Sequence, residues 1–338
     1  MQEALTYDDV LLVPQYSDIR SRSEIDLSTM LDLKLPIVSS PMDSVTESEM
    51  AIAMDKAGGL GIIHRYNEIQ DQAWEVKKTS KHTKKVAAAV GISGDYIERA
   101  SELIKNGCNI LCLDVAHGHH ILMKEALQEL RKNCGSLVTI IAGNIATPQG
   151  YLDLSNWGAD LVRANIGGGS ICTTRVQTGH GFPGLQTIFD CDHIRRSFNL
   201  KSGIIADGGI RNSGDIVKAI AAGADCVMIG SLLSGTDETP GAIMVNPQTQ
   251  MKYKIYRGMA SKEAQKDWKG TYSSNEGVSS TVPYKGSVHD VLNDLERGIR
   301  SGLSYSGVRT IKDLQEKAVW IKQTNASQVE SSAHILRR

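Results

Sequence analysis

The stretch GIIADGGIRNSGDIVKAIAAGADCVMIGS, residues 203–231, decides the fold of this chain. Two short apolar runs, 203–207 and 226–230, each end on turn residues and flank a helix-periodic segment, 213–222. We expect Ser213 to be the N-cap of that helix. A strand, a helix and a second strand within about 30 residues form the repeating unit of a parallel sheet.

The same unit recurs along the chain. Most apolar runs begin roughly 20 to 30 residues apart, and near-continuous apolar runs are typical of strands covered on both faces. The segment 95–105, between two of the runs, also has helical periodicity. Eight runs therefore predict one (β/α)8 TIM barrel, a single α/β domain over residues 1–338. The runs are 35–39, 59–64, 86–90, 110–115, 139–143, 161–164, 203–207 and 226–230.

Composition limits the classes of function. Lys and Arg number 37 against 38 Asp and Glu, so the net charge of −1 lacks the basic footprint of a nucleic-acid binder. The acidic start does not resemble a signal peptide, and no apolar stretch is long enough to cross a membrane. The six cysteines contain no CxxC pair. We expect a cytoplasmic protein with reduced thiols and with neither nucleic acid nor membrane as a partner.

The longest gap between two runs contains NIGGGSICTTR, residues 165–175. Barrel enzymes carry their chemistry on loops at the carboxyl ends of strands. Cys172 follows the glycine-rich turn and precedes two hydroxyl residues and Arg175, an environment that favours a thiolate. Cys172 is therefore the best nucleophile candidate, and a small buried apolar side chain is the alternative.

Glycines follow the last two strands. Asp207 precedes Gly208 and Gly209, and Gly230 precedes Ser231, at the strand ends where many barrels bind phosphate through backbone N–H groups. Tight turns alone would explain the same glycines. The Asp207 carboxylate also suits two ribose hydroxyls.

Acidic side chains supply two further candidates. Asp114 lies near His117, His119 and His120, so the cluster predicts either a metal site or a turn that presents one carboxylate to a ligand. Glu276 lies in a polar, poorly periodic segment near 241–286, which we expect to be a flap over the barrel mouth. Glu276 is a candidate general acid, a hydrogen-bond anchor or simply a solvated glutamate.

Five motifs taken together resemble the IMP dehydrogenase/GMP reductase family from one end of the chain to the other. They are YDDVLLVP at 7–14, SSPMDSV at 39–45, GGGSICTTR at 167–175, DGG at 207–209 and YRGM at 256–259. The resemblance implies a (β/α)8 barrel, a homotetramer and a purine nucleoside monophosphate as substrate. IMP dehydrogenases usually carry paired CBS domains after the second strand. Here residues 77–85 bridge that point directly, which predicts that the insert is absent.

The resemblance also implies roles. Cys172 matches the nucleophile that attacks purine C2, Thr174 and Glu276 match residues that assist catalysis, and Asp114 resembles the carboxylate at the nicotinamide ribose. Asp207 matches the ribose-binding aspartate. The remaining substrate-binding set is Ser170, Gly209, Gly230, Ser231, Tyr256, Gly258 and Met259. In the dehydrogenase branch, the carbonyls matching Gly167, Gly169 and Cys172 bind a monovalent cation such as potassium, with help from a tail that resembles residues 330–334 here.

The flap resembles the reductase branch more closely. No arginine lies between Met259 and Glu276, although dehydrogenases use an Arg-Tyr pair there to activate water. The spacing of Tyr272, Glu276 and Gly277 resembles the reductase's Tyr-x-x-x-Glu-Gly, and residues 178–183 resemble its Thr-Gly-Val-Gly-Tyr-Pro. This resemblance implies reductive deamination of GMP to IMP and ammonia with NADPH.

Other features keep alternatives open. Residues 206–211, 230–233 and 330–334 are more similar to the dehydrogenase, which would convert IMP to XMP with NAD. Asn165 stands where both branches usually have glycine, and Ser273 replaces the reductase's flap arginine. A deoxynucleotide or modified purine substrate and a non-catalytic nucleotide binder therefore stay possible. An aldolase-type barrel would need a lysine at a strand end, and none is present.

Overall fold

A computed structural model describes residues 3–331 and residue 333. Its strands are β1 (Val10–Leu12), β2 (Ile37–Ser39), β3 (Leu60–Ile63), β4 (Ala87–Val90), β5 (Ile110–Asp114), β6 (Thr139–Ile145), β7 (Leu161–Ala164), β8 (Gly203–Asp207), β9 (Cys226–Ile229), β10 (Met244–Val245), β11 (Lys252–Arg257), β12 (Ser279–Pro283) and β13 (Trp320–Lys322). Its α-helices are α1 (Ser48–Lys56), α2 (Ile69–Ser80), α3 (Tyr96–Lys105), α4 (Ile121–Cys134), α5 (Pro148–Asn156), α6 (Thr174–Thr178), α7 (Gly184–Ser197), α8 (Ser213–Ala221), α9 (Lys262–Lys269), α10 (Val288–Tyr305), α11 (Ile311–Lys317) and α12 (Asn325–Glu330).

Strands β2 to β9 are parallel and close into a barrel, because β2 pairs with both β3 and β9. Helices alternate with these strands, which confirms the predicted TIM barrel. Residues 81–86 connect α2 with β4. One local prediction is wrong: the N-cap of α8 is Asn212, whose side chain accepts a hydrogen bond from the N–H of Asp215 at 2.9 Å, and Ser213 is the first helical residue.

Inward-facing side chains alternate along the strands with side chains that lie under the helices. The interior cluster is Leu33, Val38, Leu60, Ile62, Ala87, Ala89, Ile110, Cys112, Ile141, Leu161, Ile205, Cys226 and Met228. On three strands, the residue two positions after the last member of this cluster is charged: Asp114 on β5, Arg163 on β7 and Asp207 on β8. Because alternate residues share a face, the three charges meet at the carboxyl end of the barrel.

The segment near 241–286, predicted to be poorly periodic, contains regular structure. Strands β10, β11 and β12 form an antiparallel sheet, and α9 lies between β11 and β12. Four of the five residues of β12 are exposed, so this strand has no apolar alternation for a sequence pattern to detect. We keep the name flap for residues 241–286.

The chain before the barrel is fastened to its outer side. Strand β1 pairs antiparallel with β13, and Lys218 on α8 donates to the carbonyl of Tyr7 at 2.7 Å. Asp8 forms an ion pair with Arg211, in which Oδ1 and Nη2 are 2.5 Å apart. We refer to residues 7–14 as the strap.

Candidate active site

Cys172 lies in the loop after β7, at the carboxyl end of the barrel. Its N–H donates to the carbonyl of Gly169 at 3.1 Å. Its partly exposed thiol lines a cavity of about 830 Å³, which we call the central cavity. Cys112 and Cys226 lie inside the barrel, and burial raises the pKa of each thiol to about 12. Among the described residues, Cys172 is the only cysteine that reaches the cavity.

One hydroxyl links Cys172 to the flap. The Cys172 Sγ lies 3.2 Å from the Thr174 Oγ1, and this hydroxyl donates to the Glu276 Oε2 at 2.8 Å. Thr174 is only 9% exposed, so its hydroxyl is largely withdrawn from solvent. This hydrogen-bonded chain of a thiol, a hydroxyl and a carboxylate can pass a proton between the sulfur and a ligand in the cavity.

Backbone pairing brings Glu276 to the cysteine loop. Cys172 and Gly277 form an antiparallel bridge. The N–H of Thr173 donates to the Glu276 carbonyl at 2.9 Å, and the N–H of Val278 donates to the Ile171 carbonyl at 3.0 Å. We call these paired segments, 171–173 and 276–278, the cysteine–flap ribbon. Sequence reasoning did not predict that the two segments pair.

Gln265 on α9 fixes the chain just before Glu276. The residue is 6% exposed, and its Oε1 accepts the N–H of Ser273 at 3.0 Å and of Ser274 at 3.3 Å. Its Nε2 donates to the carbonyls of Ser274 at 3.0 Å and Ala260 at 3.1 Å. Sequence reasoning missed this residue, because a glutamine in a strongly charged helix looks like a solvated one.

A buried charged layer lies across the barrel interior. Arg163, 6% exposed, places Nη2 2.8 Å from the Asp207 Oδ2 and Nη1 2.5 Å from the Asp114 Oδ1. Burial alone would lower the pKa of Arg163, but the carboxylates of Asp207 and Asp114 raise this pKa well above its usual value. Sequence reasoning missed Arg163, although a charged residue inside the apolar run 161–164 signals a buried partner.

Asn144 completes this layer from the loop end of β6. Its Nδ2 donates to the Asp207 Oδ2 at 2.7 Å, and its Oδ1 is buried without a partner among the described residues. All three hydrogen bonds to the Asp207 carboxylate, two from Arg163 and one from Asn144, therefore converge on Oδ2. The Asp207 Oδ1 accepts none in the described part of the chain and is available to a ligand in the central cavity.

The predicted glycine sites border the same cavity. Gly208 and Gly209 have φ of +81° and +78°, a region that favours glycine. A Cβ on Gly230 would lie 3.0 Å from the Tyr256 hydroxyl, so a side chain there would crowd this wall. Burial raises the pKa of Tyr256, which keeps it a hydrogen-bond donor. The structure brings the whole predicted substrate set to the cavity wall: Ser170, Asp207, Gly209, Gly230, Ser231, Tyr256, Gly258 and Met259.

Asn165 ties the cysteine loop to the loop after β8. It is 3% exposed and has φ of +135°. Its Nδ2 donates to the carbonyls of Asp207 at 2.9 Å and Gly208 at 3.4 Å. A Cβ on Gly168 would lie 2.1 Å from this Nδ2, so the glycine at 168 leaves the space that Asn165 fills. An asparagine at position 165, where the family usually has glycine, is therefore accommodated by the missing side chain at Gly168.

The histidines near Asp114 do not converge on a metal site. His119 bonds to Asp153 at 2.8 Å, and the His120 side chain accepts the N–H of Leu122 at the start of α4. Within residues 3–331, no three His, Cys, Asp or Glu side chains are grouped to hold a metal. The structure thus favours the second expectation, a turn that presents the Asp114 carboxylate.

Two of the three carbonyl groups predicted to bind a monovalent cation, those of Gly167 and Gly169, have close neighbours in the structure. The Gly169 carbonyl already accepts the Cys172 N–H. The Arg175 side chain packs against Gly167, where a Cβ would lie 2.9 Å from its Nε. The tail named with this cation lies partly outside the described residues, at 332 and 334. Potassium binding stays a prediction.

Comparison with known proteins decides the family. A sequence model described as "IMP dehydrogenase / GMP reductase domain" matches residues 4–334. The chain belongs to this family. It is therefore an oxidoreductase of purine nucleotides, and the family uses a nicotinamide dinucleotide as cofactor.

Named relatives come from both branches. The inosine-5′-monophosphate dehydrogenase of Borreliella burgdorferi is 38% identical, with 98% of this chain and 97% of that protein covered. That of Nitrosopumilus maritimus is 35% identical, with 98% of both covered. A GMP reductase variant from Trypanosoma brucei, crystallised with guanosine 5′-monophosphate, matches at a TM-score of 0.93 and 29% identity, with 99% of this chain and 98% of that chain covered.

The homotetramer, the single-domain organisation without a CBS insert and the cytoplasmic location stay predictions. Along residues 3–331, no helix is both long and apolar enough to cross a membrane.

Proposed function

We propose that the chain is a GMP reductase, which converts GMP to IMP and ammonia with NADPH. The observation that carries this proposal is the hydrogen-bonded series Cys172, Thr174 and Glu276. Loss of an amine from purine C2 needs a proton on the leaving nitrogen, and a carboxyl group beside the nucleophile supplies one. The series brings the nucleophile, Cys172, and a proton donor, Glu276, to one point of the cavity.

In the first step, the Cys172 sulfur forms a bond to C2 of guanine. The thiol proton passes through the Thr174 hydroxyl to Glu276 and then to the exocyclic amine. The C2–N bond breaks and ammonia leaves, so the purine is joined to sulfur at C2. This exchange of thiol for amine balances without any oxidant or reductant.

The second step reduces C2. A bound reduced nicotinamide supplies the hydride. Cys172 leaves C2 with the electron pair of the carbon–sulfur bond, which releases IMP and a thiolate, and a proton taken up from water restores the thiol for the next cycle. In this scheme, the Asp207 Oδ1 accepts a hydrogen bond from a ribose hydroxyl. The backbone N–H groups of Gly209, Gly230 and Ser231 donate to the phosphate.

The cavity residues fit a nicotinamide dinucleotide. The Arg65 Nε and the Asn144 Oδ1 are both buried without a hydrogen-bond partner among the described residues, and both side chains line the central cavity. Such orphaned polar atoms are usually satisfied by a ligand or water. Asp114 lines the same cavity, with its Oδ2 3.9 Å from the Arg65 Nε, and is the residue we assign to the nicotinamide ribose.

An IMP dehydrogenase that forms XMP with NAD is the second candidate. The names of the curated relatives favour it. The flap has no arginine between residues 259 and 276, but Lys266 lies 5.4 Å from the ring centroid of Tyr272. A lysine–tyrosine pair is therefore what this flap offers in place of an Arg-Tyr pair that activates water.

One assay separates the two activities. Purified protein is given GMP with NADPH, or IMP with NAD, while absorbance at the reduced-cofactor band and ammonia are followed together. We expect NADPH oxidation with one ammonia released per cofactor consumed. Formation of NADH from IMP, with no reaction of GMP, would establish the dehydrogenase instead. Silence in both arms would favour another purine or a non-catalytic binder.

A further inference from the structure

Lys285, near the end of the flap, lies against the segment that follows β9. We call this segment, residues 230–239, the β9 turn. The Lys285 Nζ donates to the carbonyls of Ser231 at 2.9 Å and Leu232 at 3.0 Å. Its backbone N–H donates to the Gly235 carbonyl at 2.9 Å, so main chain and side chain both fix the lysine beside the turn. Ser231 borders the central cavity, whereas Lys285 does not.

The carbonyls of the β9 turn set the direction of its first N–H groups. In a trans peptide unit, the C=O and the N–H point in opposite directions. The Gly230 carbonyl accepts two N–H groups from further along the turn, at 2.9 and 3.0 Å, so the Ser231 N–H points away from the turn. The Ser231 carbonyl accepts the Lys285 ammonium, so the Leu232 N–H points away from that cation. Neither of these N–H groups has an acceptor among the described residues.

The far end of the β9 turn has its own anchor. Lys254 on β11 is 2% exposed. Its Nζ donates to three carbonyls, those of Thr239 at 2.6 Å, Thr236 at 3.0 Å and Asp237 at 3.3 Å. Because these bonds do not involve Lys285, removal of the Lys285 side chain should leave the far end of the turn in place.

The charge of Lys285 suits an anion at the two N–H groups that lack an acceptor. Its hydrogen bonds go to carbonyls, and within residues 3–331 no carboxylate is bonded to its ammonium group. The lysine thus holds two peptide dipoles with their positive ends turned away from it. Peptide dipoles that are fixed in advance stabilise an anion without having to reorient. A phosphate monoester brings about two negative charges at neutral pH.

We propose that Lys285 is a positioning residue for the 5′-phosphate of the substrate, and that it acts through the peptide units of Ser231 and Leu232 without touching the ligand. This inference rests on the proposed function, which places the phosphate at the glycines after β8 and at the start of the β9 turn. It gives the flap a second task, since the segment that carries Glu276 also orders the phosphate site.

The test compares two ligands that differ only in the phosphate, GMP and guanosine, with binding to the full chain measured by calorimetry. Lys285→Met removes the cation at an exposed position, so we expect a nearly native thermal midpoint. GMP should bind about tenfold more weakly and guanosine less than twofold more weakly. Lys252→Met is the matched control, because Lys252 is an exposed flap lysine whose Nζ lies 5.6 Å from the Tyr284 ring. It should change neither affinity.

A conservative variant separates charge from packing. Lys285→Arg keeps the positive charge, and we expect GMP to bind within about threefold of the native affinity. Equal weakening of GMP and guanosine in Lys285→Met would indicate a general structural role and would overturn the inference. Unchanged binding of both ligands would overturn it as well. An arginine variant that binds GMP as weakly as Lys285→Met would contradict the electrostatic role.

Turnover is scored separately, so the two proposals fail independently. If the native protein releases ammonia from GMP but Lys285→Met keeps the native ratio of the two affinities, the inference about Lys285 is wrong and the reductase stands. If that ratio falls as expected but the native protein releases no ammonia, Lys285 keeps its role and the reductase is wrong. A native protein that binds GMP no more tightly than guanosine would overturn the inference whatever its activity.

Discussion

The charged layer and the cysteine–flap ribbon line one cavity but are held in different ways. In the layer, Arg163 on β7 lies between Asp114 on β5 and Asp207 on β8, and the closed barrel buries these charges. The ribbon holds Cys172 and Glu276 on two loops joined by a few hydrogen bonds. Rigid strands thus carry the buried charge, while loops carry the reacting groups.

This difference predicts two classes of variant. A change in the charged layer leaves a buried charge without its partner, so it should lower the free energy of unfolding. A change in the ribbon should leave folding nearly intact and reduce the rate of the reaction.

Cys172→Ala should give the largest loss. Removing the nucleophile should reduce turnover of GMP by at least about 10⁴-fold, since no other route to the purine–sulfur bond exists. GMP binding, measured by equilibrium dialysis, should change by less than threefold, and the thermal midpoint should not change. Residual turnover near the native rate would reject covalent catalysis.

Arg163→Met should give the largest loss of stability. Breaking the buried layer costs about 3 to 5 kcal/mol of unfolding free energy, because two carboxylates then face each other without a cation. Denaturant unfolding measures the change. The control is Arg297→Gln, which removes an exposed pair with Asp294 and should cost less than about 1 kcal/mol. Equal effects of the two variants would contradict the contrast between layer and surface.

Glu276→Gln should slow ammonia release about 10²-fold, because the amide cannot relay the proton from Thr174. Single-turnover release of ammonia from GMP measures this step. The dissociation constant of GMP should change by only a few-fold. If binding and release fell by the same factor, Glu276 would be a substrate anchor and its proposed acid role would be wrong.

Gln265→Ala should reduce the rate about tenfold through misplacement of Glu276. Its lost hydrogen bonds belong to the flap alone, so the barrel should unfold at nearly the native midpoint. Gln248→Ala, an exposed position of the same flap, is the control. A positioning role requires kcat to fall while KM for GMP is nearly unchanged, and a parallel rise in KM would indicate general disorder of the cavity.

The strap should give the smallest effect. Hydrogen bonding to Arg211 lowers the pKa of the Asp8 carboxyl. The stabilisation is therefore present above the unfolded-state pKa of about 3.9 and is lost as pH falls through the lower folded-state pKa. Asp8→Asn should cost no more than about 1 kcal/mol at pH 7 and nothing at the acid end. A difference that grows on acidification would contradict this sign.

Local patterns in the sequence sufficed for the barrel and for the position of Cys172, because each barrel strand is a short apolar run and the loops after β7, β8 and β9 begin with or contain glycines. They did not suffice for the ribbon, since Thr174 and Glu276 are 102 residues apart and pair through the tertiary fold. Arg163 was detectable as a charge in an apolar run, but its two partners come from other strands. The strands of the flap sheet are not recognisable from the sequence, because a strand as exposed as β12 has no alternation of apolar and polar residues.

The central claim is that Cys172 displaces ammonia from C2 before any reduction. Isotope exchange tests it directly: GMP is incubated with the protein, ¹⁵N-labelled ammonium and NADP⁺, which lacks a hydride to give. We predict that ¹⁵N enters the 2-amino group of GMP and that Cys172→Ala abolishes this exchange. Exchange that persists in Cys172→Ala, or its absence in a protein that oxidises NADPH with GMP, would contradict the account.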